Sequence, residues 1–329
     1  MNFDEFLKEW KNDKEYILAL SSGSTGKPKN ILLPKSFVKK SAERTNDFFH
    51  LSPGSILHSC VGADFIGGKM MAVRAELINA RFSYENPSNQ PLKDLSSDLT
   101  LDLVAVVPSQ VSYIIQNIGN LPKIKNLLIG GSAIHPELRK KIVNSGLNAY
   151  ESYGMTETAS HIALRKIEAF EKPFSVFPDI SLSLDEENCL VIHFEEGIII
   201  KTNDIAKMVS ETEFYIKGRR DQIIISGGRK INPMELEKIF SEFIHVSFLL
   251  TGFPDEKWGE KLVLIIEGEK NETLVSQLRD KLTPKCRKWE IPKEIIFVDS
   301  LPCTPNGKIK RIKDPSFLSF SAHDKDLSF

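Results

Sequence analysis

The sequence predicts an α/β protein: a large N-terminal domain with a mostly parallel sheet and a small β subdomain, then a small α+β domain. Three observations predict it. At about 150 residues per domain, 329 residues make roughly two domains. The first two thirds alternate short apolar runs with helical patterns, which indicates buried parallel strands covered by helices. Beyond about residue 173 that alternation gives way to short β-like segments and then to a compact mixed module.

The elements follow in order. Residues 16–20 read as a strand, a Gly/Ser/Thr loop follows, and residues 30–33 read as a second strand. Ser36 is the expected N-cap of a helix through Val38, Ala42 and Phe48. Residues 66–74 form an apolar helix interrupted only by Lys69 and Arg74. Residues 103–107 are a continuous apolar strand leading through Pro108 into a helix. Residues 127–129 are another, followed by Gly130-Gly131 and a helix opened by Pro136, a favoured first-turn residue. From about 173 to 216 the short alternating segments 190–194 and 214–216 predict a small antiparallel β subdomain.

After Gly218-Arg219-Arg220-Asp221 the pattern changes again. Gly227-Gly228 is expected to turn between a strand and a helix. Residues 233–243 read as that helix, 246–251 and 262–266 as strands, 274–282 as a helix and 295–298 as a strand. This module of about 100 residues is large enough to fold alone. The expected division is therefore 1–218 and 219–329, with residues from about Asp314 a loosely attached tail.

Composition removes several function classes. Hydrophobic residues at 41% and charged residues at 26% fit an ordinary globular chain and not a disordered one. With 43 basic and 44 acidic residues the net charge is −1, which supplies no bulk attraction to nucleic acid or an anionic membrane. The N-terminus mixes charges and aromatics without a signal-peptide apolar run, and no apolar stretch approaches the ~20 residues of a membrane span. Cys60, Cys189, Cys286 and Cys303 have no CxxC or His-paired metal spacing. Reduced thiols in a cytoplasmic protein are expected.

The strongest local signal is Ser21-Ser22-Gly23-Ser24-Thr25-Gly26-Lys27-Pro28-Lys29 between two strands. Small residues let backbone N–H groups approach an anion, while hydroxyls and lysines add donors and charge. It is not a Walker A loop, because Ser21 stands at the first glycine position and Pro28 follows the lysine. Alone it would read as a surface turn. Further on come Gly130-Gly131-Ser132, Tyr153-Gly154-Met155-Thr156-Glu157-Thr158, Thr202-Asn203-Asp204, Gly218-Arg219-Arg220-Asp221, Ser226-Gly227-Gly228-Arg229-Lys230-Ile231 and Pro305-Asn306-Gly307-Lys308.

These motifs, in this order over residues 21–308, resemble the acyl-adenylate-forming superfamily of acyl-CoA synthetases, luciferases and peptide-synthetase adenylation domains. The resemblance implies an ATP-dependent acid–thiol ligase using Mg²⁺ and coenzyme A. It implies that Ser22, Ser24, Thr25, Gly26 and Lys27 hold the β- and γ-phosphates. Tyr153 would lie against the adenine and Gly130, Gly131 and Ser132 along its edge. Thr156 would bond the α-phosphate, Glu157 would hold Mg²⁺, and Asp204 and Arg219 would bind the ribose. Lys308 would stabilise the meeting of carboxylate and α-phosphate. Asp221 would be the hinge of a mobile C-terminal domain, with Gly227 and Gly228 guiding the pantetheine arm.

For the acid, Lys69 and Arg74 are the informative residues. A cation gains nothing from a fatty chain but would meet a second carboxylate on the substrate. With Thr158-Ala159-Ser160-His161 and Thr202-Asn203-Asp204, this stretch resembles the o-succinylbenzoate–CoA ligases of menaquinone synthesis. That resemblance implies Arg74 as the anchor, with Lys69, Ser160 and His161 beside it. Two departures stand out. Asn203 replaces the glycine usual before the ribose aspartate, and the phosphate loop begins at residue 21, whereas typical relatives carry a long region before it. Two alternatives follow: a CoA ligase for another aryl or short-chain acid, or a non-catalytic nucleotide or acyl-adenylate binder.

Overall fold

The computed structural model describes residues 1–21, 29–303, 309–318 and 327–328. The chain divides into two compact units. The first comprises 1–182, 192–200 and 208–214, and the second 183–191, 201–207 and 215–329.

The first unit opens with α1 (Phe3–Lys11), whose N-terminus is closed reciprocally. The Asn2 side chain accepts the Glu5 N–H at 2.8 Å and the Glu5 carboxylate accepts the Asn2 N–H at 3.0 Å. Strands β1 (Tyr16–Leu20) and β2 (Asn30–Pro34) form an antiparallel pair. Helix α2 (Lys35–Phe48) starts directly after Pro34, so Ser36 lies inside the first turn and is not the cap. The proline's restricted backbone already ends the strand there.

Then follow β3 (Ile56–Ser59), α3 (Ile66–Leu77), β4 (Arg81–Tyr84), β5 (Thr100–Leu101), β6 (Leu103–Val106) and α4 (Pro108–Gln116). Next come β7 (Lys123–Ile124), β8 (Leu127–Ile129), α5 (Pro136–Ser145), β9 (Ala149–Met155), β10 (Ser160–Lys166) and β11 (Phe174–Val176). The order β11-β10-β9-β8-β6-β3-β4 is parallel from β4 to β9 and antiparallel from β9 to β11. Strands β6 and β8 are buried at every residue, which is why they read as unbroken apolar runs. Val104, Val106, Leu127 and Ile129 pack with Val111 and Ile114 of α4 and Ile142 of α5. The carboxyl ends of these strands lead into the predicted nucleotide residues, as open α/β sheets generally arrange.

Four strands succeed one another in the order β12 (Ile180–Leu184), β13 (Cys189–Phe194), β14 (Ile199–Met208) and β15 (Glu213–Arg219). In the second unit, β16 (Ile224–Ser226) and β17 (Arg229–Ile231) make an antiparallel hairpin, followed by α6 (Pro233–Phe240). Strands β18 (Phe248–Asp255) and β19 (Gly259–Glu267), helix α7 (Glu272–Leu282), β20 (Glu294–Val298) and β21 (Leu327–Ser328) complete it. Side chains alternate across β18, β19 and β20. Leu250, Leu264 and Phe297 pack with Phe240 and Leu278, while Leu249, Val263 and Ile296 pack with Ile312 and Leu318.

Three sequence expectations change here. Gly227 and Gly228 join two strands and not a strand and a helix. Both have positive φ, +55° and +74°, as a two-residue primed hairpin turn requires. The helix expected over 233–243 ends at Phe240. The segment after Asp314 is attached: Leu318 is buried and β21 pairs with β20. No helix among the described residues is long and apolar enough to cross a membrane.

Candidate active site

In the first unit, Gly130 directly follows β8. A Cβ there would lie 2.7 Å from Ser152 Oγ, which itself donates to the Ile129 carbonyl at 3.1 Å. Gly131 has φ +93°. The turn is pinned from below, since the Ile134 N–H donates to Glu151 Oε1 at 3.2 Å. Glu151 is buried and its other oxygen accepts from Arg139 at 2.9 Å and Arg165 at 2.8 Å. Tyr153 lies two residues along β9, its ring edge-on to Phe214 at 5.2 Å and tilted against Phe174 at 5.8 Å. Gly154 admits no side chain, because a Cβ would fall 2.2 Å from the Ser160 carbonyl oxygen of β10.

A 3₁₀ turn (Thr156–Thr158) follows β9. Thr156 is buried and its hydroxyl donates to the Leu20 carbonyl at 3.3 Å, at the end of β1. Beyond Leu20 the neck of the expected phosphate loop is closed by Ser21 and Lys29, which exchange bonds at 2.9 and 3.1 Å. Ser22, Ser24, Thr25, Gly26 and Lys27 lie outside the described residues, as does Lys308. Glu157 is exposed and forms no ion pair among the described residues. An exposed carboxylate is a hard oxygen donor of the kind that Mg²⁺ takes alongside phosphate oxygens.

Most of the residues expected on the acid side cluster behind this turn. Ala159 and Ser160 have φ +50° and +85°, uncommon for residues with a side chain. Ser41 of α2 holds the turn by donating to the Ala159 carbonyl at 2.7 Å. This carries His161 into the interior, 4% exposed. Thr45 donates to the Ser41 carbonyl at 3.3 Å, so its oxygen is left to accept from His161 Nε2 at 3.0 Å. That assignment leaves Nδ1 as a lone pair, 3.5 Å from Arg74 and from Ser160 Oγ.

Arg74 is 1% exposed, and its guanidinium lies 3.5 Å from His161 Nδ1 and 3.6 Å from the Met71 sulfur. No carboxylate pairs with it among the described residues, and its Nε has no hydrogen-bond partner. Burial alone pulls its pKa down to about 9, so it is charged at neutral pH. Lys69 goes elsewhere: its ammonium donates to the Leu18 carbonyl at 2.6 Å and lies 4.0 Å from Glu9. Burial, foremost, lowers its pKa.

Burial first and the Arg74 charge second hold the His161 pKa well below its ordinary 6.5. The unfolded chain therefore takes up a proton as pH falls below about 6.5 while the folded protein does not, and stability drops on acidification. Comparing melting temperatures of wild type and His161→Gln between pH 7.5 and 5.5 checks this. The wild type is expected to lose more stability over the interval, and equal losses would contradict the assignment.

In the second unit, Asp204 is buried on β14 and Arg219 ends β15. Arg219 donates to Asp204 at 2.8 Å and grips Asp221 through two bonds of 3.0 and 2.9 Å. One guanidinium thus spans the expected ribose and hinge carboxylates. The Asn203 departure also has a partner, because Arg220 donates to Asn203 Oδ1 at 2.6 Å and pairs with Glu187. The Gly227 N–H donates to the Trp258 carbonyl at 2.8 Å, and a Cβ on Gly227 would meet the Trp258 ring at 2.7 Å.

Ser41 and Thr45 were not legible as site residues, although a signal existed. Both are polar yet lie on the same helical stripe as Val38 and Ala42.

Comparison with known proteins adds the following. Residues 4–200 match the AMP-binding enzyme family and residues 249–308 the AMP-binding enzyme C-terminal domain. A 2-succinylbenzoate–CoA ligase of Listeria monocytogenes is 28% identical over 94% of this chain and 71% of its own length. An acyl-CoA synthetase (AMP-forming)/AMP-acid ligase II-like protein of Dyadobacter fermentans is 30% identical, covers 93% of this chain and 91% of its own, and superposes with a TM-score of 0.61. An o-succinylbenzoate–CoA synthetase of Bacillus subtilis, solved with ATP and a magnesium ion, shares the fold at TM-score 0.74. It is 19% identical and the match covers 89% of this chain and 68% of that one.

Proposed function

The chain belongs to the AMP-binding enzyme family, and from that premise we propose that it joins o-succinylbenzoate to coenzyme A through an acyl-adenylate. The acid's aliphatic carboxylate attacks the α-phosphorus of ATP and pyrophosphate leaves. The CoA thiolate then attacks the acyl carbon, the mixed-anhydride C–O bond breaks and AMP leaves. Relatives named as 2-succinylbenzoate–CoA ligases support this reading, and all four cysteines are free, as fits a cytoplasmic setting.

The single observation that carries the choice of acid is Arg74, a charged and fully buried guanidinium without a carboxylate partner among the described residues. An unpaired interior charge is costly, and a substrate carboxylate supplies the missing anion with charge-assisted hydrogen bonds. The ring carboxylate of o-succinylbenzoate, which does not react, fits that need. His161 Nδ1 lies 3.5 Å from that guanidinium, and Ser160 Oγ lies 3.5 Å from the same imidazole nitrogen.

Thr156 and Glu157 face the phosphates in this reading, with Glu157 holding Mg²⁺. When bound, that ion offsets the charge that builds on the phosphate oxygens. Asp204 accepts from the ribose hydroxyls while Arg219 keeps its carboxylate oriented. Residues 219–329 form the mobile part that delivers Lys308 for adenylation and then the Gly227-Gly228 hairpin for the thiol.

The test is a panel of acids scored for pyrophosphate release and CoA thioester. o-Succinylbenzoate is expected to be used best, and 3-benzoylpropanoate, which lacks only the ring carboxylate, poorly. Equal use of the two would remove Arg74 as anchor. Tight ATP binding with no release for any acid would make the protein a binder.

A further inference from the structure

A second cluster, separate from the groups assigned above, joins three ligand types that a borderline divalent cation prefers. His58 and Cys60 stand two residues apart at the carboxyl end of β3, so both side chains leave the same face. Glu85 directly follows β4, which pairs in parallel with β3 and sets His58 opposite Ser83. The imidazole nitrogen, the Cys60 sulfur and a Glu85 carboxylate oxygen all lie within 4.8 Å of one another. His58 and Cys60 are each 1% exposed, and Glu85 is partly exposed.

His58 is oriented from behind. Its Nδ1 lies 2.8 Å from Ser83 Oγ, and an Nδ1–H donated there leaves the Nε2 lone pair facing Cys60 and Glu85. That Nε2 is buried and makes no hydrogen bond among the described residues. An ordinary histidine–carboxylate hydrogen bond would close to about 2.7–3.0 Å, but Nε2 and Glu85 Oε2 are 3.5 Å apart. Two donors on one tetrahedral zinc ion, at bond lengths near 2.0–2.3 Å, stand about 3.3–3.6 Å apart. The backbone around the cluster is fixed as well. Glu85 accepts the Leu92 N–H at 3.0 Å, the Cys60 N–H donates to Ala105 at 3.0 Å, and Gln110 donates to the Cys60 carbonyl at 3.1 Å.

We infer that His58 Nε2, Cys60 Sγ and the Glu85 carboxylate bind a zinc ion, with water completing the tetrahedron on the partly exposed Glu85 side. Binding breaks the Cys60 S–H bond and releases its proton to solvent. The sulfur, nitrogen and oxygen each give a lone pair to the metal, and no electron is transferred. Mg²⁺ does not compete, since it takes oxygen donors and not a thiolate. The ion ties the ends of β3 and β4 to the segment that follows, a structural role distinct from the Mg²⁺ assigned to Glu157.

The test uses the full chain, stripped with a chelator and titrated with Co²⁺ or Zn²⁺ alone. One equivalent of Co²⁺ is expected to give a thiolate-to-cobalt charge-transfer band that Zn²⁺ bleaches, and Zn²⁺ is expected to raise the melting temperature. Cys60→Ser loses the band. Ser83→Ala and Glu85→Gln, which spare the packed core, each weaken Zn²⁺ binding by about 10-fold or more. No stoichiometric uptake by the wild type, a band that persists in Cys60→Ser, or unchanged affinity in both gentler variants overturns the assignment.

Discussion

Arg74→Met is expected to lower kcat/KM for o-succinylbenzoate by about 10²- to 10³-fold while raising the melting temperature of the unliganded protein by a few degrees. The two effects have one cause. A pKa drawn down to about 9 by burial alone means that the folded protein holds this charge at a cost. That shift corresponds to a desolvation penalty on the order of 5 kcal/mol. Methionine fills a similar volume and removes the penalty, and buried charges replaced by packed apolar residues are often neutral or stabilising. The substrate carboxylate, however, loses its partner.

The pH dependence gives a second reading of the same residue. Above about pH 9 the unfolded chain binds more protons at this site than the folded one, so stability contributed by Arg74 rises with pH. The methionine variant lacks that increment, and its stabilising effect shrinks as pH climbs through the window. Steady-state kinetics with o-succinylbenzoate and with 3-benzoylpropanoate separate the explanations. Only the dicarboxylate should suffer. If both acids lose activity equally, Arg74 is packing and not recognition.

The order of the motifs made the fold legible, because several of them lie near strand ends where short sequences decide the conformation. Gly130, Gly131 and Gly154 show why: two cannot carry a Cβ without a clash and the third has positive φ. Direct long-range contacts were less legible. Arg74 and His161, 87 positions apart, were expected around the same acid, but their approach to 3.5 Å was not. Lys69 and Arg74 both interrupt the apolar helix, yet one charge is absorbed by a carbonyl of β1 while the other has no carboxylate partner among the described residues. The His58, Cys60 and Glu85 group escaped the spacing rules for metal sites because its third member comes from the neighbouring parallel strand. The Asn203 departure likewise made sense only with Arg220 beside it.

Lys308→Ala is expected to slow pyrophosphate release by about 10²- to 10³-fold, the usual loss when one donor to a developing charge is removed. Thioester formation from supplied o-succinylbenzoyl-adenylate should change little. The asymmetry follows from the charges in each step. Adenylation brings a carboxylate anion against a triphosphate, so a cation between them is worth most at the transition state. Thiol transfer expels AMP from an anhydride already activated, and Lys308 has no charge to bridge there. Lys308→Arg sharpens the point. It keeps the charge but replaces a compact ammonium with a planar fork, so partial recovery of adenylation is expected. Equal slowing of both half-reactions would mean that the variant had disturbed the C-terminal unit as a whole. Full-rate adenylation by the alanine variant would remove Lys308 from the chemistry and leave the choice of activating cation open.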